Sequence, residues 1–450
     1  MTAALRAAGR SALAAPAHGI GGREDLPLPL GLTVTGAALA VVISFIALGL
    51  LWREQRLHGA RAGRPLPAAT RRVLDRPWTR RAVAAIGLLA FAWTLLALVF
   101  GRDDARNPAP WIGYVLLWVG LVPVSVLIGP LWRLANPIRT GHALVNRAMG
   151  LDPRDGIRPL PARLGWWPAA AGLLAFTWLE LVAPDNATLP TLRWAMGLYC
   201  GTHLVAALVF GSTWFDRGDA FEAWSGLYGL VGPFGRRVDG TLVVRAPLVG
   251  LDALPPAPGL VATVAVMVGS TAYDGLSGST AWVSFVQSHA WPRIVVGTLG
   301  LVTTVLVIAL LFVGCTLAAG VVGGRPDRSL PAAFAPSLVP VALGYVVAHY
   351  YSLLVLEGQR ALVRLSDPLG TGADWLGTAH LTPSSALVAP GIVANLQVAA
   401  IVLGHVGGVV LAHDRAVALF PEKGAVRGQL PLLALMVTLT CVGLLLLFWS

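Results

Sequence analysis

Six ionisable side chains fall inside stretches of this 450-residue sequence that are otherwise apolar: Glu180, His203, Asp274, His349, Glu357 and His405. His413 and Asp414 follow just beyond the last. Imidazoles and carboxylates can hold a metal ion, shuttle protons, or act as general acids and bases. In an apolar setting each is costly, roughly 2.5–3.5 kcal/mol for an Asp at the centre of a membrane helix, so each needs a partner or a cavity. The run VVAHYYSLLVLEGQ, residues 346–359, shows the spacing best. On a helix Tyr350 and Glu357 share one face, and His349 and Tyr345 share a second. His349 and Glu357 stand about 12 Å apart along the axis and about 80° apart around it, so one ion needs ligands from other helices. Asp274, Glu180 and His203 are able to supply them.

The elements that position these groups are membrane helices. The chain is 56% hydrophobic and 12% charged, with mean hydropathy +0.71, against about 25% charged in an ordinary soluble domain. Apolar runs long enough to cross roughly 30 Å of hydrocarbon predict an all-α, polytopic transmembrane bundle of about ten spans. These cover 31–52, 83–100, 111–132, 165–183, 192–211, 258–276, 294–322, 332–357, 391–411 and 430–449. A net charge of +11 resides mostly in arginines of the short connections, not in one patch, which argues against nucleic acid. Arginines concentrated at 53–81 and 133–163 place those loops in the cytoplasm by the positive-inside rule, with both termini outside a cell membrane. Glu180, Asp274, His349 and Glu357 then share the outer half, while His405 lies deeper and His413 reaches the cytoplasmic surface. Cys200, Cys315 and Cys441 have no paired spacing, so neither disulfides nor thiolate metal sites are expected.

Residues 31–450 form the transmembrane domain. The inner loop 212–257 carries Asp219 three residues before Glu222, with Phe221, Trp224 and Tyr228 at helical spacing, which predicts an interfacial helix. Asp239-Gly240 predicts a short hairpin. In the outer loop 358–390, Ser366, Asp367 and Asp374 read as turn residues. Residues 1–30 are a signal peptide or an uncleaved tail. Ala15-Pro16-Ala17 has the small-x-small form of a cleavage site, and cutting there would expose His18 with a new α-amino group, a further ligand pair.

Imidazole with carboxylate suits Zn, Mn, Fe or Cu ions, although no short metal-ligand motif occurs. Taken singly, His203 and His405 also read as hydrogen-bonded packing residues, and Gly404 and Gly408 around His405 favour close helix contact. His413 and Asp414 read as the solvated start of a loop. Pro123 and Pro130 in the third span, and Pro336 and Pro340 in the eighth, are candidates to break their helices.

The stretches AHGIGGREDLPLPL (17–30), GSTAYDGLS (269–277), VVAHYYSLLVLEGQ, SDPLGTG (366–372) and GHVGGVVLAHDRA (404–416) resemble those of actinobacterial multi-pass membrane proteins catalogued as fenitrothion hydrolases. The resemblance implies membrane-bound hydrolysis of an organophosphorus triester, an apolar substrate that could enter from the bilayer. It supplies no catalytic residues, but its motifs contain His18, Asp274, His349, Glu357, His405 and His413. On that expectation Asp274 and His349, with His203 or His18, hold a metal, while Glu357 serves as base and Tyr350 as hydrogen-bond donor, Glu180 standing nearby. A transporter or metal-handling permease using the same residues is the alternative, and a scaffold or membrane partner subunit a third reading.

Overall fold

The computed structural model describes Leu26 and residues 28–448; His18 and the Ala15-Pro16-Ala17 site lie outside them. The described chain is a helical bundle. Among the described residues nine helical segments are long and apolar enough to cross a membrane. These are α1 (Leu30–Leu51), α2 (Pro77–Phe100), α3 (Trp111–Ile128), α6 (Leu189–Phe210), α8 (Leu260–Ser277), α9 (Arg293–Val322), α10 (Leu330–Arg364), α11 (Pro390–Leu419) and α12, the last lying within Glu422–Phe448. The protein is therefore a multi-pass membrane protein.

The tenth expected span, 165–183, is helical but shorter than expected. It forms α5 (Trp167–Leu181), only 15 residues long. Gly165, at φ +45°, and Pro168 fix its start, and Asp185, at φ +52° after Pro184, lies just beyond its end. Among the shorter helices are α4 (Pro137–Ala148) and α7 (Ala220–Val231).

Apolar side chains such as Ile43, Leu89, Leu198 and Leu310 cover the outside of α1, α2, α6 and α9, as a lipid-facing surface requires. α8 and α10 are mostly enclosed. Helix α7 is not interfacial as expected: ten of its twelve residues are buried, with Trp224 stacked on Trp118 at 3.9 Å. Its apolar residues face all round rather than along one stripe, so enclosure by neighbours is the stable solution. The hairpin forms where expected, β2 (Phe234–Arg236) pairing antiparallel with β3 (Leu242–Val244), and β1 (Arg64–Pro65) adds to the other edge of β3.

Two proline devices shape the spans. Residues 111–119 of α3 are a π-helix. In that register the Trp118 carbonyl would pair with residue 123, but Pro123 has no N–H, and the Trp224 indole Nε1 donates to it instead at 3.1 Å. Pro336 lies in a 3₁₀ turn, Ala335–Ser337, that splits α10 into Leu330–Phe334 and Leu338–Arg364.

α10 and α11 approach backbone to backbone. A Cβ on Gly344 would stand 2.5 Å from the Ala400 carbonyl oxygen, and one on Gly404 would stand 2.6 Å from that of Pro340. Gly404→Ala is therefore expected to cost about 1–3 kcal/mol, read as a lowered unfolding temperature in detergent. Gly197→Ala, whose Cβ meets open space, is the control and should change little. Equal effects of the two would remove close packing as the reason for Gly404.

Candidate functional site

Asp274 lies in the last turn of α8, where an acid opposes the helix dipole. What holds it there comes from α10. The His349 Nε2 stands 2.9 Å from Asp274 Oδ2, and the Tyr350 hydroxyl donates to the same oxygen at 2.8 Å. All three residues are buried. Adjacent residues on a helix point about 100° apart, so His349 and Tyr350 reach one oxygen by straddling it, their rings edge to face at 4.9 Å. Glu180, near the end of α5, lies within electrostatic range of Asp274, and its buried Oε2 has no hydrogen-bond partner among the described residues. Beside His349 is a cavity of about 20 Å³ lined by Thr271, Gly275, Tyr345, Ile401 and Gly443. That is room for one water.

The other expected residues are placed elsewhere. Glu357 is two turns further along α10; Trp111 Nε1 donates to it at 2.8 Å and Arg360 pairs with it. The Arg364 guanidinium lies 3.9 Å over the Trp111 ring. Glu357 thus ties α10 to the start of α3 and does not reach Asp274 as a base would.

His203 on α6 accepts from Trp214 Nε1 at 2.9 Å and packs against Tyr199 and Phe215, apart from His349. The packing reading of this histidine is the one its contacts fit. His405 is fully buried; its Nδ1 donates to the Ile401 carbonyl at 2.8 Å, and its Nε2 meets no partner among the described residues. Among the described residues no group of three or more His, Cys, Asp or Glu could hold a metal ion. Asp274 and His349 are brought together, but His203 does not join them.

The expected solvation of His413 and Asp414 is corrected. With no helix breaker before Pro421, α11 continues to Leu419 and carries both residues, which are buried. His413 faces Gln429 Oε1 at 3.0 Å and the Trp52 carbonyl at 2.8 Å. Asp414 Oδ1 accepts from Trp52 Nε1 and from the backbone N–H groups of Arg56 and Leu57, at 3.0, 2.7 and 3.2 Å.

One cluster escaped the sequence. Asp219 caps α7 as expected, accepting from Phe221 and Glu222 N–H at 2.8 and 2.9 Å. Glu222 does not complete a capping box but takes a bidentate contact from Arg139 of α4, both bonds 2.7 Å. Arg139 also reaches Asp216 at 2.7 Å, and Asn136 donates to Asp219 and Glu222 at 3.1 and 2.9 Å. Burial pushes Glu222 up to about 7 even though Arg139 pulls the other way. The Asn136-Pro137 dipeptide was the available signal: it marks a helix start, and Asn136 caps α4 through Ile138 and Arg139 N–H. In the loop after α10, Ser366 and Asp374 bond to each other and Asp367 accepts from Thr371 and Gly372 N–H, the turn role expected of them.

Comparison of the chain with protein-family models, curated proteins and solved structures finds no match.

Proposed function

We propose that this protein handles protons within the membrane, with Asp274 and His349 as the proton-binding pair of a transporter. The observation that carries the reading is the 2.9 Å contact between a buried imidazole and a carboxylate at the end of α8, beside a cavity of single-water size. Such a pair can hold its proton on nitrogen or on oxygen, and an acid kept at a helix C-terminus among membrane spans marks a relay more readily than a packing contact. Glu180 offers a second carboxylate, and Tyr350 fixes the geometry. In this proposal the Arg-rich loops face the cytoplasm of a cell-membrane protein and the pair opens outward.

The test is proton flux into proteoliposomes carrying an entrapped pH dye. Wild-type protein should acidify the lumen after an external acid jump, and His349→Ala should fall to the rate of protein-free vesicles. Equal rates for wild type, variant and empty vesicles would sink the proposal.

Hydrolysis is the second reading. The motifs that carry the resemblance supply both Asp274 and His349, and an imidazole oriented by a carboxylate beside a water-sized cavity is placed to act as general base. An aryl phosphotriester does not fit about 20 Å³, so its substrate would have to part the helices. A metal-assisted form finds two ligands here and lacks a third among the described residues. Hydrolysis of an aryl phosphotriester that requires His349, without proton flux, would favour this reading.

A further inference from the structure

A second polar cavity lies at the opposite end of α10 from Glu357, where the 3₁₀ turn Ala335–Ser337 interrupts the helix. It measures about 10 Å³, and its lining includes Leu57, Asp252, Pro336, Ser337, Asp414 and Arg415. Two of its polar atoms are buried without a hydrogen-bond partner among the described residues, Asp414 Oδ2 and Ser337 Oγ; their residues are 1% and 2% exposed. Three N–H donors on Asp414 Oδ1 fix the carboxylate and leave Oδ2 to the cavity.

A carboxylate oxygen only accepts, so Oδ2 calls for a donor or a cation. The cavity's charges are Asp252, Asp414 and Arg415. Arg415 pairs with Asp252 at 3.3 Å, and Asp252 Oδ2 also accepts from Gly59 N–H at 3.0 Å. Among the residues lining the cavity one negative charge is left over. His413, the nearest other ionisable group on α11, turns to Gln429 and Trp52 instead. Pro336 also lines the cavity, and Pro340 lacks the N–H that the Pro336 carbonyl would meet in a regular helix. The volume is at the lower limit for a water, while a bare small cation is smaller.

We propose that the break in α10 binds one small monovalent cation of sodium size, on Asp414 Oδ2, Ser337 Oγ and backbone carbonyls of the interrupted turn. Interrupted membrane helices supply carbonyl oxygens to such ions in general. The site is separate from Asp274 and His349 and stands or falls without them.

Equilibrium binding of radioactive sodium to the purified full chain in detergent tests it. Wild-type protein should bind one ion per chain, displaced by unlabelled sodium or lithium and not by choline. Ser337→Ala should weaken binding at least about tenfold, the order of one lost contact, and Asp414→Asn should abolish it. Asp414 also anchors residues 52–57, so Ser337→Ala, which breaks no side-chain hydrogen bond among the described residues, decides the matter where Asp414→Asn does not fold. No saturable sodium binding by wild type, or binding unchanged in Ser337→Ala, would overturn the proposal and leave the cavity to a water.

Discussion

Asp274→Asn is expected to abolish proton flux, a loss of about 10²-fold or more, with little loss of folded protein. The amide keeps an oxygen for the Tyr350 hydroxyl and fills the same space, so the packing of α8 on α10 survives. What disappears is the carboxylate that meets His349, and with it the second resting place for the proton. Infrared difference spectra between acid and alkaline samples give the direct readout. One protonated-carboxyl component present in wild type should be missing in Asp274→Asn, while that of Glu222 remains. Asp274→Ala should differ, because it removes the acceptor that Tyr350 and His349 share and costs about 1–3 kcal/mol for each hydrogen bond lost. Full flux in Asp274→Asn would falsify the assignment of the pair.

Arg139→Ala should bring the largest loss of stability, about 3–5 kcal/mol, because it leaves the buried Glu222 without its cation. Glu222 loses both of its charge-assisted bonds, whereas Asp216 keeps Arg133 at 3.0 Å. The loss should depend on pH. The folded-state pKa of Glu222 is raised from the ordinary 4.5 to about 7, so its contribution to stability is full in acid and is lost as pH rises through that window. Without Arg139 the buried anion is worse placed still. The gap between variant and wild type should therefore be small at pH 5 and wide at pH 8 when unfolding is followed in detergent. A gap of equal size at both would mean that Glu222 is not the group responsible.

Much of this was legible in the sequence, and the limits have a common cause. Hydropathy located the long helices, and helical periodicity put His349 and Tyr350 on two neighbouring faces of one of them. The N-cap at Asp219, the hairpin turn and the close packing at Gly404 follow from local chemistry within a few residues. Periodicity tells which way a side chain points, but not which helix stands opposite. Hence His203, at a depth consistent with the cluster, faces Trp214 instead, and Glu357 meets Trp111. The burial of Asp414 depends on a loop 362 residues away in the chain folding back onto it, and no local pattern announces that. Arg139 looked like one more topology signal among the arginines of its loop, yet it is the cation on which an inserted helix depends.

The brevity of α5 has a consequence for the lipid around it. At about 1.5 Å per residue its 15 residues reach only about 22 Å, against a hydrocarbon core of roughly 30 Å. Ala171 and Ala175 on this helix are exposed on the outer surface of the bundle, so bilayer, not protein, must absorb the difference there. A membrane meets such a mismatch by thinning and by drawing headgroups and water inward. Glu180 stands at the end of the short helix, where that dimple would form. The deformed leaflet would then bring the aqueous phase close to the carboxylates, and thicker or more ordered bilayers would oppose its approach.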